Sequence, residues 1–182
     1  MAWNLEEVKQ QGIAAHQRHF LEREFGKNRA DRLQPVMQEA YRLAYIRKPE
    51  FMGNTRTEEK DPKFKVISDL PWSEQEINER LAAYRQLSDK EQEWHALPAQ
   101  KKETYFQLVK YPVQAAAQMN NKLLTAQLAR RGKADWADSD RAYDSIVSLT
   151  KRYNTTKWNR MMDFQPRKLP VFNRVERKTV LS

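Results

Sequence analysis

The chain has 182 residues, no cysteine, only 4 glycines and a formal net charge of +9, with a mean hydropathy of −0.94. This length suits one ordinary domain with a sizeable core. The lack of cysteine excludes a disulfide framework and thiol chemistry, and no apolar run approaches the ~20 residues of a membrane span.

Few glycines and no sustained polar–apolar alternation point to an all-α fold. The expected architecture is an antiparallel bundle of four to five helices with a long loop at about 50–72 and an irregular C-terminal arm. Nothing near Met1 pairs a basic start with an apolar block, so no signal peptide is read there. Asn4 is a good N-cap, and Glu7 completes a capping box three residues later. The first helix should run to about Phe25. Leu5, Val8, Gly12, Ala15, His19 and Glu22 form one line, with Ile13, Phe20 and Leu21 beside it. The short turn at Gly26-Lys27 predicts an antiparallel partner.

That partner is expected at about 28–46, with Ala30, Leu33, Met37, Ala40, Tyr41 and Ala44 on one face. Pro35 should bend it or delay its start, and Pro49 should stop it. From 50 to 72 the helical pattern is lost, and a short extended piece is expected at 64–67. Ser73 and Glu76 then form a second capping box, with Trp72 and Ile77 placed as a hydrophobic staple. Ile77, Leu81, Tyr84 and Leu87 carry a single third helix to about His95.

The stretch 105–120, YFQLVKYPVQAAAQMN, lies in a longer helical run, 98–131, around which the rest is organised. Phe106, Val109, Val113, Ala116, Met119, Leu123 and Ala126 form one apolar stripe, and Tyr105, Leu108, Pro112 and Ala115 a second beside it. Two adjoining stripes predict a central helix with neighbours on both sides. Pro112 predicts a kink, and Gly132 a left-handed stop after Arg130-Arg131. A last helix is expected at about 139–154, with Ala142, Tyr143, Ile146, Leu149, Thr150 and Tyr153 on its inner side. The bundle then covers 1–154, and the arm 155–182 is expected to pack along it as part of one domain. The arm's Trp158, Met161, Met162, Phe164, Leu169, Val171 and Phe172 make it too apolar for a free linker.

The charge is uneven. From Lys151 onward nine basic residues face only Asp163 and Glu176, so the basicity belongs to the arm rather than to a stripe on a folded face. That disfavours nucleic acid as a partner. His16 and His19 are one turn apart, but Glu22 drifts round the axis and makes a poor third ligand; no metal or cofactor is expected. Carboxylate pairs such as Glu6/Glu7, Glu58/Glu59 and Glu91/Glu93 read as solvated helix faces or loop rather than a glycosidase pair. No nucleophile arrangement or glycine-rich phosphate loop is present, so no catalytic residue is assigned. The polar motif of most interest is Arg47-Lys48-Pro49-Glu50. It reads as a helix stop with a structural ion pair, or as a contact to a neighbouring domain with Arg47 as a fork-shaped donor.

Five segments in order carry a resemblance: Phe25-Gly26, RKPE at 47–50, the stretch 105–120, Tyr153-Asn154 and KWNRMMD at 157–163. Together they resemble the helical domain of the family 115 glycoside hydrolases, α-glucuronidases that trim glucuronoxylan. The resemblance spans nearly the whole chain but only part of a family member. It implies a non-catalytic helical domain that buttresses a catalytic barrel, and no catalytic acid is carried over. Its partners would be the other domains of the same polypeptide and, through the parent, the polysaccharide; no nucleic acid or membrane is expected, and the parent would be secreted or periplasmic. Arg47, Lys48 and Glu50, with Lys157, Trp158 and Arg160, are the candidate interdomain contacts. Alternatives that the residues leave open are a free-standing basic module for nucleic acid or an acidic polysaccharide, and a structural oligomerisation bundle.

Overall fold

The computed structural model describes residues 5–54, 66–92, 97–156 and 170–177, and all regular structure among them is helical. In chain order it comprises α1 (Leu5–Phe25), α2 (Lys27–Ile46), a 3-10 turn (Pro49–Phe51), α3 (Glu74–Gln92) and α4 (Ala99–Tyr105). A π-helical turn (Phe106–Lys110), α5 (Tyr111–Arg130), α6 (Trp136–Asn154) and a second 3-10 turn (Pro170–Phe172) follow. None of the described helices is long and apolar enough to cross a membrane.

Side-chain bonds give the packing directions. Gln34 Nε2 donates to Ala14 O and Arg18 pairs with Asp31, so α2 retreats along α1 as the chain advances. The Arg80–Asn120 and Ser88–Gln114 bonds do the same for α3 and α5. Ser139 to Lys122 O, with the Tyr111–Thr150 hydroxyl pair, does it for α5 and α6. The helices are therefore antiparallel, and α5 is the common neighbour of α3 and α6.

The central helix sits as its two stripes require, with adjustments. Phe106, Val109, Val113 and Met119 are buried, while Ala116 is half-buried at the edge of the cluster formed by α2, α3 and α5. Of the second stripe Tyr105 is buried but Leu108 and Pro112 are exposed. The discordant proline is absorbed by the π turn just before it. Pro112 cannot donate and its ring crowds the carbonyl four residues back. The ladder widens there, and Tyr111 N–H bonds to Phe106 O, five residues back. At the other end the expected left-handed stop forms a Schellman motif. Gly132 has φ 68 and donates to Ala129 O, and Lys133 N donates to Leu128 O. The last helix starts three residues before its expected position, because the Asp135 side chain caps it by accepting from Ala137 N.

The second capping box is complete. Ser73 N donates to Glu76 Oε2 at 2.7 Å, and Glu76 N donates to Ser73 Oγ at 3.2 Å. These bonds hold the Glu76 carboxyl below its usual range. Ile77 of the staple is buried, with Trp72 packed against the same cluster.

Several expectations are corrected. The first helix is two helices joined at Gly12, whose φ of 81 and ψ of 165 lie outside the helical region and suit glycine. The break turns the inner face, so that His16, Leu21 and Phe25 are buried while Ile13 and His19 are exposed. Asn4 and the Glu7 side chain lie outside what is described. The second helix runs through Pro35 and buries Ala30, Leu33, Val36 and Leu43; Tyr41 points outward, one step round the axis from the expected face. The described part of the third helix runs to Gln92, and its expected end near His95 lies outside the described residues. Residues 66 and 67 of the expected extended piece form no strand, and 64 and 65 lie outside the described residues. Glu91, expected on a solvated face, is 1% exposed. It falls seven residues after Tyr84 on the inner line of α3, where Gln114 Nε2 of α5 donates to its Oε2 at 2.6 Å.

Candidate functional site

The RKPE motif forms a corner where α2, the following loop and α3 meet. Pro49 pushes the residues before it out of the helical region, and Arg47 is extended at the C-cap, its N–H closing on Leu43 O. The Arg47 side chain turns back on its own chain. Its Nε donates to Phe51 O at 2.8 Å and its Nη2 reaches Asn54 Oδ1 at 3.4 Å. Asn54 Nδ2 in turn donates to Ser68 Oγ, joining the two described sides of the loop. Lys48 and Glu50 are exposed. The other expected contact residues, Lys157, Trp158 and Arg160, lie outside the described residues.

Behind this corner sits Arg80, which the sequence reading missed. Only 6% of it is exposed. Its Nη2 donates to Arg47 O and its Nε to Asn120 Oδ1, both at 2.7 Å. The guanidinium lies over the rings of Trp72 and Tyr84, at 5.4 and 5.2 Å from their centroids. Burial lowers its affinity for a proton, and the like charges of Arg47 and Arg42 add to the effect against the stabilising Tyr84. Among the described residues no carboxylate forms an ion pair with it. Arg80 is also on the wall of a groove of about 310 Å3 between α2 and α3, lined with it by Arg42, Leu43, Ile46, Trp72, Glu76, Glu79 and Ala83.

A second polar feature is deeper. Lys122, in the middle of α5, is fully buried. Its Nζ donates to Val171 O at 2.6 Å and Asn173 O at 2.7 Å, and sits 5.9 Å from the centre of the Tyr143 ring. Burial pulls its ammonium down from 10.5 to about 7. Lys122 thereby pins the 3-10 turn Pro170–Phe172, whose Val171 joins the core, while Arg174 and Arg177 outside it pair with Asp140 and Asp144 of α6. Gln127 does the same for the loop before α3. It accepts from Leu70 N at 3.0 Å and donates to Leu70 O at 2.7 Å. Leu70 N–H and C=O are thus satisfied by one amide, in the role a sheet partner would play.

His16 is buried and His19 exposed, and among the described residues no three His, Asp or Glu side chains gather as metal ligands. Three buried polar side chains of α3 and α5 are aimed at backbone groups of other segments: Arg80 at Arg47, Gln127 at Leu70, and Lys122 at Val171 and Asn173.

The family model described as Glycosyl hydrolase family 115 matches residues 1–51. A solved structure, of a family GH115 4-O-methyl-α-glucuronidase with specificity for decorated arabinogalactans, is 61% identical over the whole of this chain, with a TM-score of 0.93. Both matches are to glycosyl hydrolase family 115. The chain spans about a quarter of that relative, 24% of its length. No curated protein matches it significantly. The family resemblance carried by RKPE and by 105–120 falls on the α2 corner and on the π turn with α5.

Proposed function

We propose that this chain is a non-catalytic helical domain of a longer family 115 α-glucuronidase. In that role it braces the domain that performs hydrolysis and helps set the shape of its cleft. One observation carries the reading. The whole chain follows, at 61% identity and a TM-score of 0.93, a segment that makes up 24% of a 4-O-methyl-α-glucuronidase. The inward aim of Arg80, Lys122, Gln127 and Glu91 supports it, because these side chains are already occupied in holding the bundle together. Glycoside hydrolysis needs two carboxyl groups facing one bond, roughly 5–10 Å apart. The paired Asp140 and Asp144 are instead both engaged by Arg174.

The relative's stated specificity favours decorated arabinogalactans over glucuronoxylan as the parent's substrate. The test compares the isolated chain with the longer polypeptide on both glycans, reading released 4-O-methyl-glucuronic acid. The isolated chain is expected to release none. The longer polypeptide is expected to act on the arabinogalactan first. Release by the isolated chain at an enzyme-like rate would overturn the accessory role.

A further inference from the structure

The segment 170–177 has no α-helical ladder to hold it. Its 3-10 turn, Pro170–Phe172, is followed by a bond from Asn173 N to Pro170 O at 3.0 Å. Side chains fix it from two sides. Inside, Val171 and Val175 join the core cluster with residues of α5 and α6, and Lys122 Nζ donates to Val171 O and Asn173 O. Outside, Arg174 bridges Asp140 and Asp144, and Arg177 pairs with Asp140. The Tyr143 ring of α6 meets both sets, with Lys122 Nζ 5.9 Å and the Arg174 guanidinium 4.5 Å from its centre.

The two sets answer pH differently. Lys122 is fully buried, its acceptors are two neutral carbonyls, and among the described residues it forms no ion pair. The titratable and charged groups packed round it are Tyr143, Asp140 and Asp144 of α6 and Arg174, Glu176 and Arg177 of the segment. The two aspartates are engaged by the two arginines, and Glu176 is exposed. α5 adds none, since Lys122 is its only charged residue before Arg130. An ammonium in such a place carries a desolvation cost that a neutral amine avoids, while the amine keeps the two N–H donors that the carbonyls need. Hydrogen bonds from Arg174 and Arg177 hold the Asp140 carboxyl below its usual range, so it stays charged at neutral pH. Opening the segment would return Lys122 Nζ to water, where the charged form is favoured, and would leave the helical ladders of α5 and α6 intact.

We propose that 170–177 is a proton-gated clasp. It closes over α5 and α6 with Lys122 as the neutral amine, and it opens locally, ahead of the rest of the fold, when that amine takes up a proton. Burial lowers the Lys122 amine from 10.5 to about 7 in the closed form. Between those limits closing releases a proton, so the clasp tightens as the pH rises and loosens as it falls toward 7. The clasp is a property of this chain alone and does not depend on the accessory role.

Hydrogen exchange of the chain, labelled at pH 7, 8 and 9 and divided by the intrinsic rate at each pH, reads the open fraction. Protection at 171–177 is expected to be lower than at 119–126 of α5 and little changed by about 1 M urea, because a local opening exposes little surface. It should be at least about tenfold greater at pH 9 than at pH 7; release of one proton on closing limits the rise to about tenfold per pH unit. Lys122→Met should flatten the rise. Asp140→Asn, which weakens the outer pairs and leaves Lys122 in place, should lower protection at every pH and keep the slope. Protection that is flat or falls from pH 7 to 9, or a rise that survives Lys122→Met, would overturn the gate, as would a slope lost in Asp140→Asn. Exchange at 171–177 that matches 119–126 in rate and in urea dependence would overturn local opening, since the segment would then be released only by global unfolding. Should Lys122→Met fail to fold, the slopes of the wild type and of Asp140→Asn decide the matter.

Discussion

Lys122 offers the sharpest test of how this bundle is held together. Its ammonium is buried among Val171 O, Asn173 O and the Tyr143 ring, and its folded pKa is pulled from 10.5 to about 7. Below pH 7 both folded and unfolded chains carry the proton, and the full cost of burying the charge is present. Between about 7 and 10.5 the unfolded chain still binds the proton while the folded chain has lost it, so raising the pH favours folding. At about 1.4 kcal/mol per pH unit the whole interval is worth about 5 kcal/mol, an upper bound because water reaches part of any real core. The neutral amine keeps two N–H groups, enough to serve both carbonyls. Near pH 10 a second effect opposes the first. Burial raises the hydroxyl of Tyr105 and that of Tyr84, so the unfolded chain loses those protons first and stability falls again. Stability should therefore climb from pH 7, at up to about 1.4 kcal/mol per pH unit, to a maximum between about 9 and 10. Urea unfolding followed by circular dichroism at fixed ionic strength, repeated across pH 6–10, measures this directly. Lys122→Met should flatten the climb. At pH 6 it removes a buried charge but strands two carbonyls at about 1–3 kcal/mol each. A wild-type curve that is flat or falling from pH 7 to 9, or a climb that survives Lys122→Met, would refute the reasoning.

Further outcomes follow from the same contacts. Phe106→Ala should cost ~3–5 kcal/mol, because the ring is buried and packs at 6.0 Å against both Tyr111 and Tyr153; a loss under about 1 kcal/mol in chemical denaturation would mean that the π turn collapses onto the gap. Ser73→Ala should cost about 1 kcal/mol by removing the acceptor for Glu76 N and should lower the melting temperature, whereas an unchanged melt would show the cap to be replaced by water. On activity, the isolated chain should release no 4-O-methyl-glucuronic acid.

What the sequence made legible is local. Ser73 and Glu76 are three residues apart and need no other partner, and Gly132 closes its motif on carbonyls within five residues. The two stripes of 105–120 were enough to place α5 at the centre, because a helix apolar on adjoining faces has to be covered on both. The break at Gly12 was not legible: a glycine inside a helical pattern costs about 1 kcal/mol and is often tolerated, and only the observed φ distinguishes the two cases. The resulting turn of the inner face explains why His16, rather than Ala15 or His19, is buried. On α2 the helical spacing places Tyr41 inside, but an aromatic with a hydroxyl can face water at little cost, and Val36 and Leu43 take the core positions.

The polar interior is where the sequence was silent, and the reason is physical. A lysine or arginine on a helix reads as surface, since burial is unfavourable unless its donors are met. Lys122, Arg80 and Gln127 are each met by backbone from segments 49, 33 and 57 residues away, and nothing in a helical window encodes such a partner. Glu91 alone left a trace, because it continues the Ile77–Tyr84 spacing that an inward line would have. The three long-range bonds share one property. Each fixes the backbone of a segment that has no α-helical ladder of its own, namely the RKPE corner, the residues around Leu70 and the turn at Val171. The buried cations and amides of α3 and α5 thus supply the hydrogen-bond partners that a helix would otherwise give these backbone groups. The loops of a domain built to brace another would need such fixing if their outer surfaces are to stay in register with a neighbour. Arg80 shows how one such bond serves two elements, since its guanidinium holds the backbone of the corner at Arg47 O and the side chain of α5 at Asn120.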